Sequence, residues 1–186
     1  MKRQIFEELM NSVDIPVFHE SRKYITNYVN FKTGKNYSFL NARGMYRYFM
    51  VGETHHKFIF VDKNQPLYIK IPVLIHEIDH YHFFNREGHE KKSYKDIIRT
   101  EREAFEASIE KCIDLQLLDS LRFIYKTLSN FYSKYHYPIG YKRLQAVYDA
   151  VGQIVNTQLW KELIINIHEL GRNKNECEYG FKKIVF

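Results

Sequence analysis

Cysteine, proline and glycine are scarce in this chain of 186 residues, and long apolar runs are absent. The two cysteines, Cys112 and Cys177, are too few for a disulfide framework. No stretch approaches the roughly 20 apolar residues of a membrane-spanning helix, and the first residues lack the apolar segment of a secretion signal. These absences exclude disulfide-rich and membrane-spanning classes, and they predict a cytoplasmic protein with no membrane partner.

The composition that remains is typical of an ordered globular chain, with 45% hydrophobic, 16% aromatic and 27% charged residues. It is too apolar for an intrinsically disordered chain. Lys and Arg (28) exceed Asp and Glu (22), for a formal charge of +6. This excess admits a nucleic acid, an anionic membrane surface or an acidic partner as hypotheses, and charge alone selects none of them.

The hydrophobic pattern predicts an α+β chain that is mixed at its start and mainly helical in its C-terminal half. Residues 45–51 and 57–62 are rich in β-branched and aromatic side chains, and they predict a hairpin whose loop is residues 52–55. The absence of linkers and repeats predicts one continuous domain over 1–186. The pattern turns helical from Pro66 onward, and Pro72 suits the first turn of a helix that runs to about Arg86 and stops at Gly88. The other predicted helices are 2–11, 20–30, 96–118, 120–136, 141–155 and 157–170.

One short segment carries most of the chemical information. Residues 76–80 read His-Glu-Ile-Asp-His, which matches the pattern H-E-x-x-H on a predicted helix. His80 lies one turn beyond His76 on the same helix face, so two imidazoles can share a tetrahedral Zn²⁺. Glu77 lies about 100° round the helix, where it can act on the attacking water as a general base without ligating the metal.

The helix around this motif is apolar on all sides, which is typical of a buried helix. Buried imidazole and carboxylate groups need partners, and a metal ion supplies one. The alternative is a pair of hydrogen-bonded core histidines beside a surface glutamate.

A third ligand is expected from the following helix. Phe83 and Arg86 stand where a metzincin has Gly and His, so the motif does not continue that way. On a helical wheel, Glu101 is the one acid on the apolar face of 101–115, which suits a His₂Glu zinc site. The alternative is a solvated helix in which Glu101 merely sits near the N-terminus, where the helix dipole favours an acid.

The segments HEIDH at 76–80 and EREAFEAS at 101–108 together resemble the ImmA/IrrE-type zincin metallopeptidases. The resemblance implies a zincin-like fold, with a small antiparallel or mixed sheet packed on the active-site helix, in a catalytic core of 1–118 followed by a helical part, 119–186. It implies Zn²⁺ held by His76, His80 and Glu101, Glu77 as the catalytic base, and hydrolysis of a protein or peptide substrate. By the same resemblance, the edge strand of the predicted hairpin at 45–62 would pair with an extended peptide substrate. A plain core hairpin fits the pattern equally well.

Two residues depart from this family. Phe105 replaces the usual Asn, or the Asp of related zincins, that would support a ligand histidine, and Asp79 replaces a small residue. These departures keep open a second hypothesis, in which a weak or inactive zincin-fold protein acts as a regulatory binding module.

The oxyanion stabiliser of such a peptidase has three candidates, His89, Tyr94 and Tyr81, which the sequence does not rank. His82 and His89 are alternative metal ligands, but neither has the supporting spacing that Glu101 has. The segment from His168 to Arg172 is half a zinc motif at most, because Arg172 stands in place of the second histidine.

Basic and aromatic residues alternate between Ser120 and Tyr148, a stretch that contains no acid. This pattern can bind single-stranded nucleic acid. The aromatic and aliphatic residues also recur with a period of 3.6, which favours the buried face of a helix. A nucleic-acid-binding module is therefore the third and less favoured hypothesis.

Overall fold

The computed structural model describes residues 1–39, 41–88, 93–133 and 142–173. Over these residues the chain is α+β and mostly helical, as predicted, with seven helices and one three-stranded sheet. The elements are α1 (Lys2–Met10), β1 (Val17–Glu20), α2 (Arg22–Thr33), β2 (Gly44–Val51), β3 (Thr54–Asp62), α3 (Leu67–Glu87), α4 (Tyr94–Asp114), α5 (Leu118–Tyr132), α6 (Lys142–Ile154) and α7 (Gln158–Asn173).

The sheet is mixed, with the strand order β1-β3-β2. β2 and β3 form the predicted antiparallel hairpin, but its loop is only Gly52 and Glu53, because Val51 already pairs with Thr54. Gly52 has a φ of 58°, which is typical of the first position of a tight hairpin turn. The prediction of a loop over 52–55 was therefore two residues too long.

β1 was not predicted, and it pairs in parallel with β3 from Val17 opposite Ile59. The strand has only four residues, and all four are half-buried. It therefore lacks both the length and the alternation of buried and exposed residues by which a strand is recognised in a sequence. A parallel partner also lies far along the chain, which removes the local hairpin signal.

β3 is the central strand, and its two faces contact different helices. Phe58 and Phe60 pack with Ile25 and Val29 of α2 in one apolar cluster. Ile59 and Val61 belong to a larger cluster. That cluster extends over α1, α3, α4, α5, α6 and α7, from Phe6 to Ile167. The alternation of side chains along β3 thus places α2 on one face of the sheet and α3 on the other.

α3 begins at Leu67, directly after Pro66, from which the helical pattern is predicted. Pro72 lies inside the helix and not in its first turn, so the expectation based on that proline was wrong. Proline lacks the backbone N–H that would donate to residue 68, one turn earlier. The predicted end near Gly88 is confirmed, with Gly88 at the C-cap.

α4 begins with a capping box between Ser93 and Asp96. It ends at Asp114, earlier than predicted, and Gln116 then takes a left-handed φ of 51°. In α5, Leu121, Ile124 and Leu128 are buried, so the core-packing interpretation of the basic and aromatic segment is confirmed there. Residues 134–141 of that segment lie outside the described residues. Among the helices described, none has both the length and the apolar character that crossing a membrane requires.

Candidate metal centre

Two neighbouring helices bring together His76, His80 and Glu101, which are called the triad below. The Glu101 Oε2 atom lies 3.5 Å from Nε2 of His76 and 3.7 Å from Nε2 of His80. One donor atom from each residue falls within 4.8 Å of the others. His80 and Glu101 are buried, and the side chain of His76 is 15% exposed. The three residues are therefore close enough to bind a metal ion, on a site that solvent reaches from the His76 side.

The contact between α3 and α4 positions Glu101. Ala104 is fully buried, and such a small residue lets the two helices approach closely. The Ser108 hydroxyl lies 3.1 Å from the carbonyl oxygen of Pro72 and 2.9 Å from that of Ala104, and it donates to both. Ser108 lies on the same face of α4 as Glu101, two turns further along the helix. Its contact with α3 therefore helps to hold the Glu101 carboxylate opposite the two histidines.

Glu103, the other acid of the motif, points elsewhere. Its carboxylate lies 3.6 Å from the guanidinium of Arg86. The helix thus presents Glu101 and not Glu103 to the histidines, as its periodicity predicts.

Charge within the triad is balanced between the carboxylate and an imidazole. Burial disfavours the charged form of Glu101, but the hydrogen bonds and charges of His76 and His80 outweigh it and hold the pKa of Glu101 well below its ordinary value. Burial likewise opposes a charged His76, yet Glu101 and the nearby Glu77 and Asp79 raise the pKa of His76 on balance. In the metal-free protein the site therefore favours an ion pair between His76 and Glu101.

The donor set fits a zinc ion. Two imidazole nitrogens and one carboxylate oxygen form a known catalytic zinc combination, in which bonds of about 2.0–2.1 Å put neighbouring donors about 3.3 Å apart. The observed separations of 3.5 and 3.7 Å are close to that value. A modest closure of the three side chains would complete the geometry.

The groups behind the ligands fit a catalytic zinc site less well. The Nδ1 atoms of His76 and His80 are buried and have no hydrogen-bond partner among the described residues. The ring of Phe105 packs against His76 with 4.6 Å between ring centres, and it offers no hydrogen-bond acceptor to the imidazole. Acceptors of this kind orient ligand histidines and strengthen metal binding.

Glu77 is buried beside the triad but outside it, and the strand β2 holds it. Its Oε2 atom accepts a hydrogen bond of 2.6 Å from the backbone N–H of Tyr46. The N–H of Asp62 donates to the carbonyl of Arg43 at the start of the ladder. Because pairing alternates along antiparallel strands, the N–H of Tyr46 points away from β3 at the free edge of the sheet. The sequence predicts the strand and the acid but not this contact, since no local pattern links residues 31 positions apart.

Gly44 explains how β2 comes so near to α3. A Cβ atom at this position would lie 2.4 Å from Cγ1 of Val73 and 3.3 Å from Cγ of Glu77. Only a glycine fits such a close approach of strand and helix. The first residue of β2 thus allows the contact between Tyr46 and Glu77.

A cavity of about 280 Å³ opens in front of the triad. It is bounded by the start of β2, by the zinc-motif face of α3 and by Glu101 of α4. Its lining consists of Phe39, Ala42, Gly44, Met45, Tyr46, Arg47, His76, Glu77, His80, Phe84 and Glu101. The free edge of the sheet and the triad therefore share one cavity.

Two of the three candidates for the oxyanion stabiliser, Tyr81 and Tyr94, are not brought to this cavity. The Tyr81 hydroxyl donates to Asp14, and this bond and burial raise the pKa of Tyr81. The Tyr94 hydroxyl donates to Asp149 at 2.6 Å. Neither tyrosine lines the cavity in the described part of the chain. His89 lies outside the described residues.

His82, the alternative metal ligand that lies among the described residues, is not part of the triad either. His82 packs against the ring of Tyr81, with 5.2 Å between ring centres. Over the residues that the structure describes, the group of possible metal ligands contains only the triad. The preference for Glu101 over His82 as third ligand therefore has geometric support.

The chain was compared with protein-family models, with curated proteins and with solved structures, and none of the three comparisons finds a match.

Proposed function

We propose that this protein is a zinc-dependent metallopeptidase with a zincin-like active site. The observation that carries the proposal is the convergence of His76, His80 and Glu101, with Glu77 held beside them by the backbone of β2. His76, His80 and Glu101 hold the ion, and Glu77 is the general base. A zinc ion bound there would lower the pKa of a water molecule and polarise the carbonyl group of the substrate.

Glu77 has the position and the restraint that a general base needs. Its Oε2 atom is engaged by the N–H of Tyr46, which leaves Oε1 to take a proton from water in the cavity. A base held by the rigid edge of a sheet keeps its distance from the reacting atoms. Glu77 can then return the proton to the leaving amine.

The free edge of β2 supports a peptide as the substrate. β2 is the outer strand of the sheet, and its outward-facing edge, where the N–H of Tyr46 bonds Glu77, lies beside the cavity of the triad. An extended peptide can add to such an edge by backbone hydrogen bonds, independent of its side chains. Its scissile carbonyl would then lie over the triad.

The test combines metal content with hydrolysis. We expect the purified full chain to carry about one zinc per molecule and to cleave a fluorescently labelled unstructured protein. Glu77→Gln should lower that rate by about 10²–10⁴-fold with zinc content unchanged, because it removes the base and not a ligand. His80→Ala should lose the zinc.

Glu103→Gln is the matched control, since it replaces an acid of the same motif that points away from the triad. It should keep both zinc and activity. Loss of zinc in Glu77→Gln, or hydrolysis that survives this substitution, would contradict the assigned roles.

A second candidate function follows from the unpartnered Nδ1 atoms. The packing of Phe105 against His76 is an arrangement for weak metal binding. A regulatory binding protein that keeps the site without hydrolysis would have this feature. Stoichiometric zinc with no cleavage by the unaltered chain would favour this alternative.

A further inference from the structure

A cleft leads from the triad to the outer surface of α5, and three adjoining cavities form it. The inner cavity is the one of about 280 Å³ in front of the triad. The middle cavity, of about 150 Å³, shares Gly44 and Glu77 with it. The outer cavity, of about 720 Å³, shares Arg43, Phe123 and Thr127 with the middle one. Each cavity therefore adjoins the next through residues that line both.

The middle cavity is mainly apolar. Its floor comes from α3 and α4, where Val73 and Phe105 lie, and its far wall is α5, with Phe123, Ile124 and Leu128. An apolar lining favours an apolar side chain, because water finds few hydrogen-bond partners there and the burial of apolar surface is favourable. The residue of a bound chain next to the triad would put its side chain here.

The outer cavity is basic. Arg43, Arg122 and Lys126 line it, against one acid, Asp119. The Nζ atom of Lys2 binds the Asp119 carboxylate at 2.6 Å, which offsets that negative charge. The outer cavity therefore carries a positive potential.

Two of these cations are available to a ligand. Arg43 and Lys126 are exposed, and neither has an ion-pair partner in the described part of the chain. The guanidinium of Arg43 lies 5.2 Å from the ring centre of Phe123, where the two cavities meet. This contact keeps the charge at the junction and leaves its N–H groups to donate.

We propose that the cleft binds an acidic peptide segment, with an apolar side chain in the middle cavity and carboxylates against Arg43 and Lys126 in the outer one. The proposal rests on the proposed function, because it gives the substrate class of that same site. It assigns to α5, in the helical part beyond residue 118, the role of selecting the substrate.

A peptide suits the whole length of the cleft better than a nucleic acid does. The inner cavity offers the free edge of β2, whose backbone groups match those of another peptide. A phosphate backbone that continued inward would meet the carboxylates of Glu77 and Glu101. The charge of the inner cavity and the backbone pairing at β2 therefore both favour a peptide over a nucleic acid.

Binding is measured on the full-length Glu77→Gln protein, so that cleavage does not interfere. The probes are short fluorescein-labelled peptides with one leucine beside a run of glutamates, in both orders, and counterparts with glutamine in place of glutamate. We expect an acidic peptide to bind about tenfold or more tightly than its counterpart at low salt, with a smaller ratio at high salt.

The charge on α5 is tested by Lys126→Glu, which should weaken binding of the acidic peptide about three- to tenfold. Lys161→Glu is the matched control, because Lys161 is an exposed helical lysine outside the three cavities. It should leave the Kd within about twofold. Thermal unfolding of both variants checks that each is folded.

Several outcomes would overturn the proposal. They are equal binding of glutamate and glutamine peptides, equal weakening by Lys126→Glu and Lys161→Glu, and tighter binding of a labelled single-stranded oligonucleotide that depends on Lys126. The last would identify a nucleic-acid site. Acidic peptides bound through Lys126 by a chain that cleaves nothing would support the cleft and contradict the peptidase, whereas cleavage indifferent to acidic residues would overturn the cleft alone.

Discussion

Phe105 is the neighbour of His76 that bears most directly on how strongly the triad could bind a metal. Its ring packs on the imidazole, and the Nδ1 atoms of His76 and His80 have no acceptor in the described part of the chain. A neutral histidine that binds a metal through Nε2 carries its proton on Nδ1, so a buried N–H without a partner weakens the metal-bound state. This one residue separates a site that can bind a metal from a site that binds it tightly.

Phe105→Asn should therefore tighten zinc binding. An amide oxygen at this position can accept from Nδ1 of His76, and supporting groups of this kind contribute about 10–100-fold in metal affinity. The measurement is competition for zinc with a coloured chelator.

Phe105→Leu is the control, since it also removes the half-buried ring but supplies no acceptor. Both variants lose packing at the same position, so the comparison isolates the hydrogen bond. Asparagine binding zinc no better than leucine would show that the missing acceptor does not limit affinity.

At the scale of elements, the approach of β2 to α3 forms the site. Gly44 permits it, and the N–H of Tyr46 at the free edge then reaches Glu77. The closeness of strand and helix is thus tied to the position of Glu77.

Gly44→Ala should separate these two elements. The new Cβ atom would overlap Cγ1 of Val73 and crowd the Glu77 side chain, which should destabilise the fold by about 1–3 kcal/mol. Hydrolysis should fall further than the loss of folded protein explains, because the Glu77 contact with Tyr46 is displaced. Denaturant unfolding and rate measurements on the same sample check both effects.

Gly171→Ala tests whether the loss of stability and activity expected for Gly44→Ala would follow from replacing a glycine that has no close neighbour. A Cβ atom there meets only the Arg122 side chain at an ordinary 3.5 Å, and alanine favours the helix. This variant should be neutral or slightly stabilising. A similar loss in both variants would contradict the close-approach explanation.

Asp62, at the end of β3, joins the sheet to α2 and to the turn before α3. Burial opposes its charge, but hydrogen bonds from Asn64, Gln65 and Arg22 and the charge of Arg22 lower the pKa of Asp62 on balance. The Arg22 contact is 2.7 Å, and the Asp62 side chain is 2% exposed. This network closes the end of the sheet opposite the hairpin turn.

Asp62→Asn should destabilise the protein by about 1–3 kcal/mol at pH 7. Because folding lowers the pKa of Asp62, its contribution is complete above the unfolded value of 3.8 and is lost as the pH falls through the folded value. The difference in free energy of unfolding between the unaltered protein and Asp62→Asn should therefore become smaller below about pH 4. Denaturant unfolding over a pH series measures it.

Glu20→Gln is the comparison, because Glu20 pairs with Lys63 on the exposed surface of the same end of the sheet. It should change stability by less than about 1 kcal/mol. A pH-independent gap for Asp62→Asn would show that the lost charge is not the cause.

At the scale of the whole molecule, a metal at the triad would link two long helices across the main core. α3 supplies two ligands, α4 supplies one, and both helices contribute to the larger apolar cluster. An ion that binds the folded chain alone stabilises all of it by mass action.

Zinc should therefore raise the midpoint of thermal unfolding. A free concentration of about 100 times the Kd contributes about 2.7 kcal/mol, or roughly 5–10 °C for a chain of this size. Removal of zinc with a chelator should reverse the shift. An equal rise in His80→Ala would place the bound zinc elsewhere.

The features that the sequence predicts correctly are those with a local period. The spacing from His76 to His80 puts both imidazoles on one helix face, and the wheel of α4 singles out Glu101 from Glu103. The hairpin of β2 and β3 has a strong local pattern as well. The short parallel strand β1 has none, because its partner lies about 40 residues along the chain.

The sequence by itself thus determined the α+β class and the three residues that can hold a metal, since the helical repeat and side-chain polarity specify which groups share a face. Only the tertiary structure decided that Tyr46 restrains Glu77, that Phe105 packs on the ring of His76, and that α5 walls a basic cleft beside the triad. Those relations depend on contacts between residues far apart in the chain, and packing of the whole core sets them.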